Sequence, residues 1–404
     1  MTRRITLIRH GETEANVAGG WQGQSNSELT DRGRAQVELA GRRFSAPALL
    51  ITSDLDRAVA TAEAIGAAET DPAWREYHFG AWDGLHPTEI ERRFPDQMAA
   101  MRSGEDFAPD GGERASEFAL RIQQAFAAVA GRLDDGEEAI VVTHGGVIHS
   151  LVAATLGLED RSGLALPANT SATTIMLDGE RAPQVYTLND ATHLDPVGAP
   201  PSGRRVILYR HGETVANRDS RWHGRKETPL TEEGRRQATD LAAEAPPLGV
   251  IASSPLSRAR KTAAAVASAQ GGDVAIVDGL TEMDFGEWEG MTAQEAEASD
   301  PESFERIYRS GMDEARGTTG ETFVEAGKRF SIAVDEIGRR AGSGSIGLFT
   351  HGGVTRAYLA GLLGLPFAGR HGLGVMRNTA HAEVSIEPHR TRVVSYNVAP
   401  HLEG

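Results

Sequence analysis

The sequence predicts an α/β protein made of two tandem domains, each a mostly parallel sheet with helices on both faces. Three observations carry this expectation. The chain has 404 residues, room for two or three domains of ordinary size. Its motifs recur in one order about two hundred residues apart, the length of a domain and not of a solenoid unit. Within each copy, short β-rich runs alternate with helix-like stretches, the pattern of strands joined by crossover helices.

The repeat is dense. Arg9-His10-Gly11-Glu12-Thr13 returns as Arg210-His211-Gly212-Glu213-Thr214. Asn16, Trp21, Gly23, the Leu29-Thr30 pair and Gly33 return at the same offset, 201, as do Arg57-Ala58 and Thr61-Ala62. Glu76 matches Glu282 at offset 206, because the second copy has five more residues before that point. Thr143-His144-Gly145-Gly146-Val147 matches Thr350-His351-Gly352-Gly353-Val354 at offset 207. Asn189 and His193-Leu194 match Asn397 and His401-Leu402 at offset 208. Constant order with small drifts means duplication. We place domain 1 at 1–195 and domain 2 at 204–404. Residues 196–203, with three Pro and two Gly, form the linker; such residues remove both helix and ladder options.

Each element has a local reason. Ile5-Thr6-Leu7-Ile8 and Ala139-Ile140-Val141-Val142 are apolar runs bounded by polar turns, as are Val206-Ile207-Leu208-Tyr209 and Ser345-Ile346-Gly347-Leu348-Phe349. Runs of this kind fit buried parallel strands. Thr30 and Thr231 are followed by acids and then by amphipathic stretches, the signature of a helix N-cap. The Ala-rich stretches after Arg57 and Arg258 read as helices. Polar residues just past the strand ends then fall in the crevice where such sheets bind ligands.

Composition narrows the function classes. There is no Cys, which excludes disulfides, thiolate nucleophiles and thiolate metal sites. Lys and Arg number 41 against 57 Asp and Glu, a net charge of −16, which disfavours a nucleic-acid surface. The charge is uneven: −13 in residues 1–199 and −3 in residues 200–404. No apolar run reaches membrane-spanning length, and no signal-like apolar segment follows Met1-Thr2-Arg3-Arg4. A cytoplasmic protein without membrane or nucleic-acid partners is the expectation.

The recurring polar residues carry the chemistry. His10 beside Arg9 at the end of a strand, with Gly11 allowing close backbone approach, is placed to meet an anion. One such triplet is as readily a surface turn; two in equivalent places point to a site. His144 and His351 also follow β runs and precede glycines that open a helix, whose N-terminal N–H groups favour anions. Alone, each would be read as a structural histidine. Arg57 and Arg258 lie in a shared Ser-x-Leu-x-Arg-Ala-x-x-Thr-Ala segment, and Arg suits bidentate phosphate contact. Glu76 and Glu282 precede aromatic–glycine loops ending in Trp82-Asp83-Gly84 and Trp288-Glu289-Gly290. Each is either a turn acid or a general acid raised by burial. Two His, two Arg and one Glu per copy suggest phosphoryl transfer without a metal or other cofactor. Imidazole attacks phosphorus, the cations neutralise its equatorial oxygens, and the carboxyl passes the proton. Paired Arg would repel a cation, and no His-x-x-x-His spacing is present.

Together these residues resemble the histidine phosphatase superfamily in its phosphoglycerate-mutase-like branch, over nearly the whole chain, twice. The resemblance implies phosphoglycerate-mutase-like three-layer domains. It implies His10 and His211 as phosphorylated nucleophiles. Arg9, Arg57 and His144, with Arg210, Arg258 and His351, would hold the phosphoryl group. Asn16 and Asn217 would be further phosphate contacts, and Glu76 and Glu282 proton donors. Gly follows the later His in both copies, similar to this branch. The segments after the acids, Tyr77-His78-Phe79-Gly80-Ala81-Trp82 and Met283-Asp284-Phe285-Gly286-Glu287-Trp288, look more like the small phosphatases than the mutases.

The expected function is a metal-independent phosphomonoester hydrolase for small phosphorylated metabolites, with two sites. The alternatives are a phosphoglycerate-type phosphomutase, or one catalytic copy beside a non-catalytic regulatory or binding copy. The core five residues are present in both copies, which argues against the last. The site rims differ: Gln22 stands opposite His223 and Asn26 opposite Glu227. The two copies are expected to pair as an intrachain pseudo-dimer.

Overall fold

The computed structural model describes residues 2–44, 47–179, 181–194, 203–342, 344–367 and 372–402. The linker expected at 196–203 lies outside the described residues except for Gly203. The chain divides into two compact units, each a mostly parallel sheet with helices on both sides.

The first unit contains β1 (Thr2–Arg9), β2 (Leu49–Thr52), β3 (Glu69–Thr70), β4 (Glu138–Thr143), β5 (Ala172–Asp178) and β6 (Gln184–Asp190). Their order is β3-β2-β4-β1-β5-β6. The first four are parallel, and β5 and β6 continue the sheet antiparallel. The apolar runs of β1 and β4 are buried on both faces, as central parallel strands require. The second unit repeats the plan with β7 (Arg204–Arg210), β8 (Leu248–Ser253), β9 (Val274–Ile276), β10 (Ser345–Thr350), β11 (His381–Glu387) and β12 (Arg390–Val398). The order there is β9-β8-β10-β7-β11-β12.

The expected helix starts form as the sequence suggests. Thr30 Oγ1 accepts the Gly33 N–H at 2.9 Å and caps the helix Asp31–Arg43. Thr231 does the same for Glu232–Glu244 through Gly234. Arg57 lies in the first turn of the helix Asp56–Glu63, and Arg258 in that of Ser257–Gln270. The helices Gly145–Leu156 and Gly352–Leu362 start at the glycines after the second histidines.

Register positions the site. β1 and β4 pair in parallel with Arg9 opposite Thr143, so the next residues, His10 and His144, leave the sheet side by side. β7 and β10 pair Arg210 with Thr350 and do the same for His211 and His351. β2 lies on the other side of β4 and delivers Ser53 and then Arg57 to the same edge.

Candidate active site

In the first unit His10 is buried, and its Nδ1 lies 2.7 Å from the Gly11 carbonyl oxygen. A carbonyl only accepts, so Nδ1 carries the proton and Nε2 keeps its lone pair. Arg57 Nε donates to that Nε2 at 3.2 Å. The His10 and His144 rings lie with centroids 5.2 Å apart. His144 Nε2 lies 2.9 Å from Ser53 Oγ. Its Nδ1, like Arg9 Nε, is buried with no hydrogen-bond partner among the described residues. Burial, reinforced by the charges of Arg57 and Arg9, holds His10 well below the ordinary imidazole value. Burial and Arg57 do the same to His144. Both rings are therefore neutral near pH 7.

The arginines are held by main-chain carbonyls. Arg57 Nη1 donates to Ser25 O at 2.9 Å and its Nη2 to Gly23 O at 2.6 Å. Arg9 Nη1 donates to Pro167 O at 2.7 Å. Carbonyls fix a guanidinium without neutralising it, so its charge stays available to an anion. Burial lowers Arg57 to about 10, which leaves it charged at neutral pH.

Glu76 is buried and accepts N–H donors from Tyr77 and Gly146, each at 2.8 Å. Burial raises its pKa; those hydrogen bonds and the two arginines only partly oppose the effect. Glycine at 146 leaves the Glu76 carboxylate its place. A Cβ there would sit 2.3 Å from Glu76 Oε1, which explains the second Gly of the repeated His-Gly-Gly.

The second unit reproduces the arrangement. His211 Nδ1 lies 2.7 Å from Gly212 O, and Arg258 Nε donates to His211 Nε2 at 3.2 Å. Arg258 Nε also reaches His351 Nδ1 at 3.2 Å, and His351 Nε2 lies 2.8 Å from Ser254 Oγ. Arg258 is buried against the carbonyls of His223, Gly224 and Lys226. Arg210 Nη1 donates to Met376 O. Glu282 accepts from Met283, Gly353 and Val354 N–H at 2.7–3.0 Å.

All twelve residues singled out in the sequence thus gather at the strand ends of their units. Asn16 and Asn217 lie at the third position of short helices, with their Oδ1 atoms accepting from Thr13 and Thr214 N–H at 3.2 Å. Other contributors were not foreseen. Thr61 and Thr262 hydroxyls accept the N–H of Gly11 and Gly212, which explains the Thr of the Arg-Ala-x-x-Thr-Ala repeat. Asp83 accepts N–H donors from Gly23, Gln24 and Ser25 at 2.9–3.0 Å. It thereby shapes the loop whose carbonyls hold Arg57. Glu289 has that place in the second unit. The adjacent Trp82 and Trp288 are buried core residues. Glu227, expected at the rim, caps the helix carrying Arg258: both its oxygens accept the Ser257 N–H, at 3.0 and 3.1 Å. Among the described residues no group of three His, Asp or Glu side chains is placed to hold a metal ion. None of their helices is long and apolar enough to cross a membrane.

The family model of the histidine phosphatase superfamily (branch 1) matches residues 5–191 and again residues 206–399. The chain belongs to this superfamily, in two tandem copies. It is 35% identical over 197 residues to glucosyl-3-phosphoglycerate phosphatase of Mycobacterium tuberculosis, covering 45% of this chain and 87% of that protein. It is 32% identical over 207 residues to the metal-independent phosphoserine phosphatase of Arabidopsis thaliana, covering 48% and 84% respectively. A probable phosphoglycerate mutase of Serratia proteamaculans is 32% identical over 209 residues, covering 48% and 95%. Each match spans the length of one copy. The enzyme is a phosphatase of the histidine type, a hydrolase of phosphomonoesters.

Proposed function

We propose that each copy, 1–195 and 204–404, hydrolyses small phosphomonoesters through its own phosphohistidine. The observation that carries this is the tautomer: in both copies Nδ1 is committed to the next carbonyl, and the unprotonated Nε2 accepts from an arginine. His10 Nε2 attacks phosphorus as the bond to the leaving oxygen breaks. Arg9, Arg57, His144 and Asn16 hold the equatorial oxygens. Glu76, whose pKa burial raises, gives its proton to the leaving oxygen. The Glu76 carboxylate then takes a proton from the water that attacks the phosphohistidine, releasing phosphate and restoring neutral His10. His211, Arg210, Arg258, His351, Asn217 and Glu282 have the same roles in the second copy.

Glucosyl-3-phosphoglycerate and phosphoserine, named in the relatives, are both phosphomonoesters with a carboxylate. Phosphorylated hydroxy- and amino-acid derivatives are accordingly the first substrates to test. The rims support different preferences: Gln22, Gln24 and Ser25 in the first copy stand where the second has His223, Arg225 and Lys226. Specificity follows from leaving-group contacts of that kind. The test is a phosphometabolite panel run on His10→Ala, His211→Ala and the double variant. The double variant should be inactive, and each single variant should keep part of the wild-type range with its own order of kcat/KM. One single variant without activity, with the other unimpaired, would make one copy a non-catalytic partner. Isomerisation of 3-phosphoglycerate without phosphate release would replace the hydrolase reading with a mutase.

A further inference from the structure

Asn189 and His193 recur as Asn397 and His401, yet none of them belongs to the catalytic set. They explain themselves through a loop that both units share. Ala168 N–H donates to Asn189 Oδ1 at 2.8 Å, and Arg377 N–H to Asn397 Oδ1 at 2.6 Å. The next residue but one, Thr170 or Thr379, has a left-handed backbone, φ 57° and 56°. That conformation is costly for a β-branched residue and persists only where its surroundings enforce it. Here the Thr170 hydroxyl meets His193 Nε2 at 3.2 Å and the Thr379 hydroxyl meets His401 Nε2 at 2.7 Å. The Thr170 N–H donates to Arg9 O at 2.8 Å, and that of Thr379 to His211 O at 3.2 Å.

The strained turn presents Asn169 and Asn378. Asn169 Nδ2 donates to the His10 carbonyl at 3.0 Å and to Asn16 Oδ1 at 3.1 Å. Asn378 Nδ2 donates to the His211 carbonyl at 3.0 Å and to Asn217 Oδ1 at 3.1 Å. The amide orientations are settled by partners that have one role only. A carbonyl accepts, so the Asn169 atom facing His10 is the nitrogen. The Thr13 main-chain N–H donates to Asn16, so the Asn16 atom facing both Thr13 and Asn169 is the oxygen. The Asn16 Nδ2 then faces the other way. Without Asn169, the Asn16 amide would keep, among the described residues, only the Thr13 N–H contact; without Asn378, the Asn217 amide would keep those of the Thr214 N–H and hydroxyl.

We propose that Asn169 and Asn378 are positioning residues. Anchored on the nucleophile's own carbonyl, they turn the amide N–H of Asn16 and Asn217 towards the transferred phosphoryl group. This rests on the phosphatase reading above, and the test separates the two. The full chain with His211→Ala reads the first site alone, with p-nitrophenyl phosphate as substrate and inorganic phosphate as a titrated ligand. Asn169→Ala should lower kcat/KM about tenfold or more, the effect of one charge-assisted hydrogen bond. The loss should appear in KM and in phosphate affinity as well as in kcat. Because Asn169 acts through Asn16, Asn16→Ala combined with Asn169→Ala should be little worse than Asn16→Ala alone. Multiplying losses would overturn the proposal. The isosteric Asn169→Asp keeps the volume but faces two acceptors with a third; it should lose at least as much as Ala and carries the test if Ala does not fold. An Asp variant of wild-type activity contradicts the proposal. The same cycle with Asn217 and Asn378 in the His10→Ala chain is the replicate. If a parent chain turns nothing over but still binds phosphate, the hydrolase reading fails there while the phosphate cycle still decides the positioning role. A parent that does neither overturns both.

Discussion

At the scale of single residues, the site is an exercise in fixing protonation states. A nucleophilic imidazole must be neutral and must show the right nitrogen. Burial and two guanidinium charges secure the first for His10, and the Gly11 carbonyl secures the second. The proposed general acid, Glu76, must hold its proton near neutral pH, and its burial pushes in that direction. A group that acts while protonated loses activity as pH rises through its pKa. In the His211→Ala chain, kcat/KM for an alkyl phosphate should therefore hold at low pH and fall along an alkaline limb above the ordinary carboxylate range of about 4.3. Glu76→Gln should remove that limb and lower kcat/KM about 10²–10⁴-fold, with a smaller loss for p-nitrophenyl phosphate, whose leaving group needs no proton. A pH profile unchanged by Glu76→Gln would place the acid elsewhere. The residues proposed to touch the reacting atoms could be singled out because their chemistry is distinctive and each occurs twice. Ser53, Thr61, Asp83 and Asn169 were not, because each acts through another residue's main chain or ring and has a common side chain that sequence alone assigns to turns and caps.

Secondary-structure elements turn those residues into a site by register. Parallel pairing of β1 with β4 sets the two histidines level, and helices capped by Thr30 and Thr231 brace the loop after the first. The apolar runs of β1, β4 and their repeats could be read directly, since strands buried on both faces are nearly uninterrupted. The β5–β6 and β11–β12 hairpins could not. β5 opens on Ala172-Thr173-Thr174 and β11 on His381-Ala382-Glu383, mostly polar starts without an unbroken apolar run, and β3 has only two residues. The elements also differ between copies in a testable way. Arg43, in the helix Asp31–Arg43, forms a bidentate pair with the buried Asp190 at the end of β6, at 2.6 and 3.0 Å. Burial pushes Asp190 up, but Arg43 and Thr192 outweigh it and leave it at about 2. Its folded value is depressed, so this stabilisation is complete above the unfolded value of about 3.9 and is lost as pH falls towards 2. Arg43→Ala leaves a buried carboxylate unpaired and should cost the first unit about 3–5 kcal/mol at neutral pH. Urea unfolding followed by hydrogen exchange in β6 measures it; an unchanged midpoint would show the pair to be dispensable. The second unit has Glu244 and Val398 at those positions, with Glu244 3.7 Å from His401.

At the scale of the whole molecule, duplication has kept the geometry of the histidine–arginine cluster and let its surroundings diverge. The histidine–arginine contact is 3.2 Å in both units, and the ring separations are 5.2 and 5.1 Å. Conservation of a costly, buried, charge-rich cluster in both halves is what two working sites require, since such a cluster contributes little to folding. The surroundings are not kept alike: the first half carries most of the negative charge, which repels polyanionic substrates over a distance. The central claim is that each copy forms a phosphohistidine, and the most direct measurement is to trap it. The wild-type chain is mixed with a ³²P-labelled substrate turned over by both copies, stopped in alkali where phosphohistidine survives, and digested for peptide mapping. Label should appear on the peptides of both His10 and His211, with His10→Ala and His211→Ala each removing one and leaving the other. Label on only one peptide across the substrate panel, or label on neither while phosphate is released, would contradict that claim.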